Sequence, residues 1–174
     1  MNIKLRPFET VDVYALVNNA NNINIANNLT NKFPFPYLKK DGEAFIEFCN
    51  SKTPIEVKAI VLDGAVIGSI GIHPLQDIYS KSAEMGYWIG EPFWGKGLVV
   101  QAVKQMLVYG FETFDINRIF ARTTHLNIAS QRVLLKSGFV FEAEFKSTIF
   151  KNNQYFDERV YAYRKHLAET EMQF

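Results

Sequence analysis

The sequence predicts an α/β domain in which helices cover both faces of a mixed sheet. Segments that alternate with a period of two, or form short apolar runs, are interleaved with segments whose apolar residues recur every three to four positions. A strong hairpin signal, Asp63-Gly64, joins two apolar runs near the middle of the chain. In chain order the elements read βααβββαβαββ, and this mixture of strands and helices indicates a layered architecture.

The first fifty residues contain one predicted strand and two predicted helices. Residues 2–8 alternate and carry charge, which is typical of a strand. Thr10 can cap a helix that runs through Val13 and Leu16. A second helix fits Lys39–Asn50.

Between these two helices lies a tract that is rich in asparagine. Eight of the fourteen residues 18–31 are Asn, which indicates either a poorly ordered loop or only the base composition of the gene. Base composition is the simpler explanation. Residues 33–37 contain two prolines and are predicted to be extended or turning, because proline disfavours the α region for the residue before it.

The middle of the chain is predicted to form three strands and then a long helix. Two apolar runs, Val57–Leu62 and Ala65–Ile72, flank the hairpin turn, and Ala83–Ile89 is a further strand. After a turn rich in Pro and Gly at residues 90–97, the helix extends to about Phe114. One continuous apolar stripe on this helix consists of Val99, Ala102, Val103, Met106, Leu107 and Gly110.

The C-terminal part adds a strand, a short helix and two long strands. Arg118–Thr124 has the pattern of a strand, and Ser130–Lys136 has that of a short helix. Phe139–Phe150 and Gln154–His166 are predicted to be long strands joined by a tight turn.

Composition limits the classes of function. The 174 residues suffice for one domain with a substantial core and contain no linker, so residues 1–174 are predicted to form a single domain. A formal net charge of +1 gives no long-range reason to expect nucleic acid or an anionic membrane as partner. No apolar run approaches the roughly 20 residues that span a bilayer. The single cysteine, Cys49, excludes an intramolecular disulfide and suits a reducing compartment, so a cytoplasmic protein with a core cysteine is predicted.

The junction between the strand at 83–89 and the long helix carries the clearest chemistry. The first backbone N–H groups of a helix lack internal partners, and the helix dipole places positive potential there, so this junction can bind an anion. Gly95 and Gly97 let the backbone approach a phosphate closely, and Lys96 can add a charge-assisted contact. The same glycines are equally typical of a turn without a ligand. The spacing matches neither a Walker A loop nor a dinucleotide-binding fingerprint.

A second informative segment lies one strand further along, and its polar residues are natural helix caps. Trp-Gly-x-Gly at Trp94–Gly97, together with Asn-x-x-Ser…Lys-x-Gly-Phe at Asn127–Phe139, resembles the GNAT acetyltransferases. The resemblance is strongest to the branch that acetylates ribosomal-protein N-termini and polyamines. Phe33–Tyr37 with the helix after it, and Tyr155–Glu158, also resemble that branch, so the similarity spans nearly the whole chain.

The resemblance implies a GNAT fold, with a mostly antiparallel sheet of about seven strands that is splayed between the fourth and fifth. Acetyl-CoA would lie in that gap, with its pantetheine arm paired to the backbone of the fourth strand and its pyrophosphate wrapped by the glycine turn. Asn127 would hydrogen-bond the pantetheine near the thioester, and Ser130 would face the sulfur. The implied acetyl-CoA contacts are Tyr87, Trp88, Ile89, Trp94, Gly95, Lys96, Gly97, Leu98, Val99, Asn127 and Ser130.

The sequence departs from the family pattern at three places. Val99 stands where Gly or Ala is usual, and Val100-Gln101 stands where Thr/Ser-Glu is common. Leu134 occupies the position of the tyrosine that donates a proton in many family members. This leaves the acid role to Ser130, which could equally serve only as a helix cap, or to water.

A general base is also expected, because an amine must be neutral to attack a thioester and most amines are protonated at pH 7. Glu84 is the first candidate, because GNAT enzymes often place a carboxylate at the start of the fourth strand. Asp157 is the second, and it could equally cap the final hairpin. His73 and His125 could also approach the cleft and rank below Glu84.

The sequence thus predicts an acetyl-CoA-dependent N-acetyltransferase that transfers acetyl directly to a primary amine of a peptide or protein N-terminus, or to a small amine. No residue pattern indicates a covalent intermediate or a metal site, so acetyl-CoA is expected as co-substrate and no metal. One alternative is a GNAT-fold sensor or scaffold that binds acyl-CoA without turnover, and another is a nucleotide-phosphate binder unrelated to CoA. The loops show no carboxylate cluster for a polyamine, so branch resemblance favours a peptide N-terminus. A homodimer is compatible with the sequence.

Overall fold

A computed structural model describes residues 2–165 and shows one sheet flanked by helices. The strands are β1 (Lys4–Arg6), β2 (Val57–Leu62), β3 (Ala65–Pro74), β4 (Ser82–Ile89), β5 (Arg118–Thr124), β6 (Val140–Lys151) and β7 (Gln154–Arg164). The helices are α1 (Val13–Ala20), α2 (Ile23–Ala26), α3 (Lys39–Asn50), α4 (Leu98–Thr113) and α5 (Ile128–Lys136). The strand order is β1-β2-β3-β4-β5-β7-β6, and neighbouring strands are antiparallel except for the parallel pair β4 and β5. The predicted mixed, mostly antiparallel sheet is confirmed.

The predicted hairpin connects β2 to β3 through a two-residue turn. Asp63 and Gly64 have φ angles of 49° and 83°, and positive φ at both positions matches the right-handed twist of the flanking strands. The two strands pair antiparallel from Val57 opposite Gly71 to Leu62 opposite Ala65. The turn therefore sets the register beside it, and an irregularity between Ile60 and Val61 shifts the pairing further along the strands.

Helices lie on both faces of the sheet, as predicted. Alternate strand residues join two clusters: Ile60 and Ile70 pack on the side of α4 and α5, whereas Ala59 and Val66 pack on the side of α1 and α3. The buried stripe of α4 consists of Leu98, Ala102, Val103, Met106, Leu107 and Gly110. It differs from the predicted stripe at one position, because Leu98 is buried and Val99 is only partly buried.

Cys49 is fully buried between α1, α3 and the sheet, and this burial raises the pKa of its thiol to about 12. It is therefore a core residue, as the sequence indicates. Among residues 2–165, no helix has the length and apolar character that a bilayer crossing requires.

Two sequence-based boundaries are wrong at the N-terminus. The first strand covers only Lys4–Arg6, because these are the residues that pair with β2. Thr10 does not cap a helix but begins a short 3₁₀ turn, Thr10–Asp12, which leads into α1. At the other end β7 stops at Arg164, and His166 lies outside the described residues.

Asp12 provides the polar contacts that were expected of Thr10. Its carboxylate accepts the backbone N–H of Glu9 at 2.8 Å and two hydrogen bonds from the Arg6 guanidinium, at 2.6 and 2.8 Å. Asp12 is only 6% exposed. The bidentate geometry and the backbone donor compensate the carboxylate for its loss of water.

Asp12→Asn removes the charge of this pair while keeping the shape of the side chain. We expect the free energy of unfolding at pH 7 to fall by about 3 kcal/mol, because Arg6 loses its partner. Burial raises the pKa of Asp12, but the hydrogen bonds from Arg6 and the Glu9 backbone outweigh burial and leave that pKa lowered. The stabilisation is thus present above the ordinary aspartate pKa of about 4 and disappears as the pH falls through the lower folded-state value. Urea unfolding at neutral and acidic pH measures both effects.

Glu9→Gln is the matched control. The Glu9 carboxylate lies 3.5 Å from Arg6 Nε but is largely exposed, so we expect a loss below about 0.5 kcal/mol. Equal losses for the two variants would contradict this account, as would an Asp12→Asn loss that does not shrink in acid.

Candidate active site

The strands β4 and β5 pair over three residues and then separate. Ser82–Glu84 lie opposite Arg118–Phe120, and among the described residues the ladder between these two strands ends there. β4 continues to Ile89 on its other partner, β3, and β5 continues to Thr124 on β7. Their facing edges beyond Glu84 therefore border a gap, which confirms the predicted splay between the fourth and fifth strands.

The C-terminal end of β4 leads through a turn into α4. Gly95 and Gly97 both have φ of 73°, in the left-handed region that residues with a Cβ rarely adopt. Both are exposed, and a Cβ built at either would meet no heavy atom of residues 2–165 within 4 Å. Trp94 Nε1 donates to the Ile89 carbonyl at 2.8 Å, and the buried Leu98 anchors the start of the helix.

This turn consequently presents main chain rather than side chains to a ligand. The first N–H groups of a helix have no partner within the helix, and the helix dipole makes that end positive. The ammonium of Lys96 lies 5.7 Å from the centroid of the Phe93 ring and adds a positive charge beside the turn. Val99 packs partly against the core, so its side chain leaves the exposed face of the turn open. The geometry suits a diphosphate.

Across the gap, a tyrosine of β4 contacts the first turn of α5. The Tyr87 hydroxyl lies 2.9 Å from Ser130 Oγ and also donates to the Ser130 carbonyl at 3.3 Å. Burial raises the pKa of Tyr87, and the Ser130 hydrogen bond opposes this only partly. The phenol therefore stays protonated at neutral pH. The pair places two hydroxyl groups between the separated elements.

The residues around Ser130 also define α5. Asn127 Oδ1 accepts the Ser130 backbone N–H at 3.1 Å and so caps the helix. A contact from Asn127 to a ligand would therefore come from its Nδ2 donors. Leu134 is fully buried in the core between α4, α5 and the sheet. The position at which many family members carry a tyrosine is thus occupied by a packing residue.

Glu84 lies at the fork where β4 leaves β5. Its two carboxylate oxygens accept hydrogen bonds from Arg122 Nε and Nη2, at 3.1 and 2.9 Å. The Arg122 guanidinium also lies over the Phe120 ring and 4.0 Å from Glu158. Opposite Glu84 on β3, half-exposed His73 has Nδ1 3.2 Å from Glu56 Oε2. Glu84 is thus fixed in position beside the gap.

Asp157 has a structural use in this fold. Its carboxylate accepts the Ser147 backbone N–H and a hydrogen bond from Lys146, both at 2.9 Å. Ser147 has φ of 54° and lies in a bulge of β6, so Asp157 caps this bulge and not the turn at 152–153. The Lys146 and Ser147 hydrogen bonds lower the pKa of Asp157. His125 Nδ1, meanwhile, accepts the Asp157 backbone N–H at 3.1 Å.

The asparagine-rich tract is organised by side-chain hydrogen bonds. Asn19 donates to the Val66 carbonyl of β3 at 3.0 Å, and Asn21 accepts the backbone N–H of Tyr37 at 3.0 Å. Asn22 caps α2 by accepting the N–H groups of Asn24 and Ile25. The alternative of a poorly ordered loop is therefore wrong, since these amides hold α1, α2 and β3 together.

Two further contacts attach this tract to the borders of the gap. Asn22 and Asn24 donate to the carboxylate of Glu91 in the turn before α4, and these hydrogen bonds lower the pKa of Glu91. At the tip of the β6–β7 hairpin, Lys151 donates to two carbonyls at the end of α2. The Phe33 ring lies 5.8 Å from that of Trp88 on β4. One side of the gap is therefore walled by α2, the hairpin tip and an aromatic pair.

The structure brings together most residues that the sequence singled out. Glu84, Tyr87, the 94–99 turn and the start of α5 border a single gap, whereas Asp157 is engaged in the β6 bulge. The Tyr87 hydroxyl was missed, because only the backbone of that strand was assigned a role. Strand alternation could have indicated it, since Tyr87 and Ile89 share the face that packs toward α4 and α5. Among residues 2–165, no three His, Cys, Asp or Glu side chains are grouped for a metal ion.

The main feature of the site is thus an open strand edge beside a helix N-terminus. Residues 2–140 match the acetyltransferase (GNAT) domain. The chain belongs to the GNAT acetyltransferase family.

Several relatives and solved structures are similar to this chain. It is 30% identical over 112 residues to the putative ribosomal N-acetyltransferase YdaF of Bacillus subtilis (strain 168), covering 64% of this chain and 61% of YdaF. It is 28% identical over 162 residues to the spermidine N(1)-acetyltransferase of Escherichia coli (strain K12), covering 88% of this chain and 81% of that enzyme. For the first relatives the match spans 61%, 54% and 57% of their length, which is less than two thirds.

Among solved structures, RimL, a ribosomal L7/L12 alpha-N-protein acetyltransferase in complex with coenzyme A, aligns with a TM-score of 0.82 and 21% identity over 94% of both chains. The microcin C7 self immunity acetyltransferase MccE, in complex with acetyl-CoA and AMP, aligns with a TM-score of 0.78 and 23% identity over 94% of this chain and 93% of MccE. At these identities the likeness concerns the fold, and it confirms the predicted GNAT architecture.

Asn22→Ala removes both the cap of α2 and a hydrogen bond to Glu91. We expect a loss of about 1 kcal/mol in the free energy of unfolding and faster amide hydrogen exchange over residues 22–28. Asn28→Ala is the matched control, because Asn28 is exposed and its amide donates only locally, to the Asn24 carbonyl. Unchanged exchange in Asn22→Ala would show that side-chain amides do not organise the tract.

Proposed function

We propose that this chain is an N-acetyltransferase, acting as one domain, that transfers acetyl from acetyl-CoA directly to a primary amine. The observation that carries the proposal is the gap between β4 and β5, which runs to the exposed N-terminus of α4. A strand edge can pair with the amides of pantetheine, and a helix N-terminus can bind its diphosphate. Family membership and the names of the relatives support the same reaction.

On the donor side, the main chain provides most of the binding groups. Tyr87, Trp88 and Ile89 offer backbone N–H and C=O groups along the edge of β4, and Trp94 to Val99 offer N–H groups at the glycine turn. Lys96 adds charge, and Asn127 offers its Nδ2 donors. Main-chain recognition tolerates Val99 and Val100-Gln101, because those departures from the family pattern remove no backbone donor.

Chemistry at the thioester needs one proton acceptor and one proton donor. Glu84 is the acceptor in our proposal, directly or through one water, because it lies at the fork and Arg122 fixes its orientation. Asp157 is a poorer candidate, since its carboxylate caps the β6 bulge instead of lying at the fork. As the bond from nitrogen to the acetyl carbon forms and the carbon–sulfur bond breaks, Ser130 donates a proton to the departing thiolate.

Tyr87 supports this proton donor. Its phenol stays protonated because burial raises its pKa, and it hydrogen-bonds Ser130 across their 2.9 Å contact, while water returns the proton to Ser130. A coenzyme A thiolate has a pKa near 8.5, so the donor assists departure without being essential. The hydroxyl pair substitutes for the tyrosine that Leu134 replaces. Backbone N–H groups of β4 polarise the thioester carbonyl, and positioning of the two reactants supplies much of the rate.

Charge in the gap favours a peptide N-terminus or a simple amine over a polyamine. The carboxylates on this side of the sheet are paired: Glu84 with Arg122, and Glu142 with Arg118. Glu91, at the other end of the gap, is held by two asparagine amides. Such a lining attracts a polycation weakly, because arginines compensate Glu84 and Glu142 and only the single charge of Glu91 is left. Relatives named for ribosomal proteins fit this preference better than the spermidine enzyme does.

Substitutions in the glycine turn test the donor site. Gly97→Val forces a β-branched residue into the left-handed region and fills the space in front of the helix N-terminus, so we expect the Kd for coenzyme A to rise about tenfold or more. Lys96→Ala is the control in the same turn, and we expect only a roughly two- to fivefold rise because one exposed charge is lost. Isothermal titration calorimetry measures both. Tight binding to Gly97→Val, or absent binding to the wild-type protein, would refute the donor site.

Substitutions at the fork test the chemistry. We expect kcat to fall about 100-fold in Glu84→Gln, because the proton acceptor is lost, and roughly tenfold in Ser130→Ala. Glu142→Gln is the matched control, since it neutralises another arginine-paired carboxylate, and we expect near wild-type kcat. Thiol release from acetyl-CoA with a panel of peptides and small amines provides the measurement. Coenzyme A binding without release by the wild-type protein across the panel would instead favour the sensor or scaffold function.

A further inference from the structure

Gly86, in the middle of β4, has none of the usual reasons for a glycine. The other glycines either have positive φ or have neighbours that a Cβ would crowd. The first group is Gly64, Gly95, Gly97 and Gly138, and the second is Gly42, Gly68, Gly71, Gly90 and Gly110. Gly86 lies outside the positive-φ region, and a Cβ built on it would meet no heavy atom of residues 2–165 within 4 Å apart from those of its own chain neighbours. The backbone conformation and the surroundings of Gly86 would therefore both accept a larger residue. A glycine here also weakens the strand, so the fold itself does not require it.

The position of Gly86 indicates what uses the open space. It is the second residue after the last β4–β5 pair, at Glu84, so it lies on the edge of the gap. Gly86 is exposed, whereas its partner on β3, Gly71, is buried beneath the side chains of Val57 and His73. The bare main chain of Gly86 therefore forms a small floor at the place where the gap begins.

Strand alternation determines the face on which this floor lies. Tyr87 points toward α5, where its hydroxyl meets Ser130, and α4 with its N-terminal turn packs on that same face of the sheet. Gly86 faces the opposite side together with Glu84 and Trp88, since neighbouring residues of a strand alternate. Trp88 packs there against the cluster of α1 and α3. The floor is therefore reached from the side of α1 and α3, away from the donor turn.

We infer that Gly86 is a specificity-determining residue, whose missing side chain lets the carbon chain of the acceptor amine lie against the β4 main chain. This inference rests on the proposed acetyltransferase function and assigns the acceptor to one face of β4. The amine then reaches the gap beside Glu84, while the donor occupies the Tyr87 face. A side chain at 86 excludes the acceptor and leaves donor binding intact.

Chemical labelling tests the assignment of the two faces without requiring a known acceptor. Gly86→Cys is treated with N-ethylmaleimide in the presence and absence of saturating desulfo-coenzyme A, and we expect labelling rates that agree within about twofold. Lys96→Cys, in the donor turn, is the matched control, and we expect desulfo-coenzyme A to slow its labelling at least about tenfold. The native Cys49 is buried, so the wild-type protein provides the unlabelled background.

The outcomes separate the two proposals. Protection of Gly86→Cys together with Lys96→Cys would overturn the acceptor assignment and leave the donor site standing. Absence of protection in Lys96→Cys would instead overturn the proposed donor site, and with it the inference that depends on it.

A larger side chain at position 86 tests the same assignment through the rate of acetylation. We expect kcat/KM for the acceptor to fall about 100-fold in Gly86→Val, with the Kd for coenzyme A within about twofold of wild type and an undiminished Tm. Ser82→Val is the control, because it places the same valine side chain on the same face of β4 where that strand still pairs with β5. If the Gly86→Val variant acetylates peptides and small amines as fast as the wild-type protein does, the inference is overturned. An undiminished Tm excludes misfolding as the cause of any loss.

Discussion

The ladder between β4 and β5 ends after three residue pairs, and the rest of the site depends on that ending. Each strand keeps a full partner on its other side, β3 or β7, so the sheet stays intact while two main-chain edges remain available. Unpaired peptide groups are costly when they are buried without a partner, and they are useful when a ligand supplies one. A ligand with amide groups along its length can hydrogen-bond to the free N–H and C=O groups of such an edge. The separation of the two strands is therefore compatible with a stable fold.

In our proposal one strand serves two ligands, because its side chains alternate. Tyr87 turns toward α5 and places its hydroxyl against Ser130, whereas Glu84, Gly86 and Trp88 turn toward α1 and α3. The donor and the acceptor can thus meet at the same backbone from opposite sides. Direct transfer between two bound molecules needs such an arrangement, because both reactants must be held at once.

Polar residues around the gap are mostly used to fix positions. Arg122 orients Glu84, Asp157 caps the β6 bulge, and amides of the asparagine-rich tract hold Glu91 beside the donor turn. Lys151 docks the hairpin tip on α2. These contacts join segments that lie far apart in the sequence, so the walls of the gap depend on the whole fold and not on any one loop.

The sequence by itself determined the strands, the long helix, the Asp63-Gly64 hairpin and the glycine turn at 94–97, because each depends on local periodicity or on positive φ. Motif resemblance added the family and the splay. Only the tertiary structure showed that Asp12 replaces Thr10 as the capping group, that Asp157 belongs to a bulge, and that Tyr87 meets Ser130. It also showed that Gly86 faces open space. Most of these features depend on contacts between residues that are separated in sequence, such as Tyr87 with Ser130 or Ser147 with Asp157, and local patterns carry no information about which separated groups will meet.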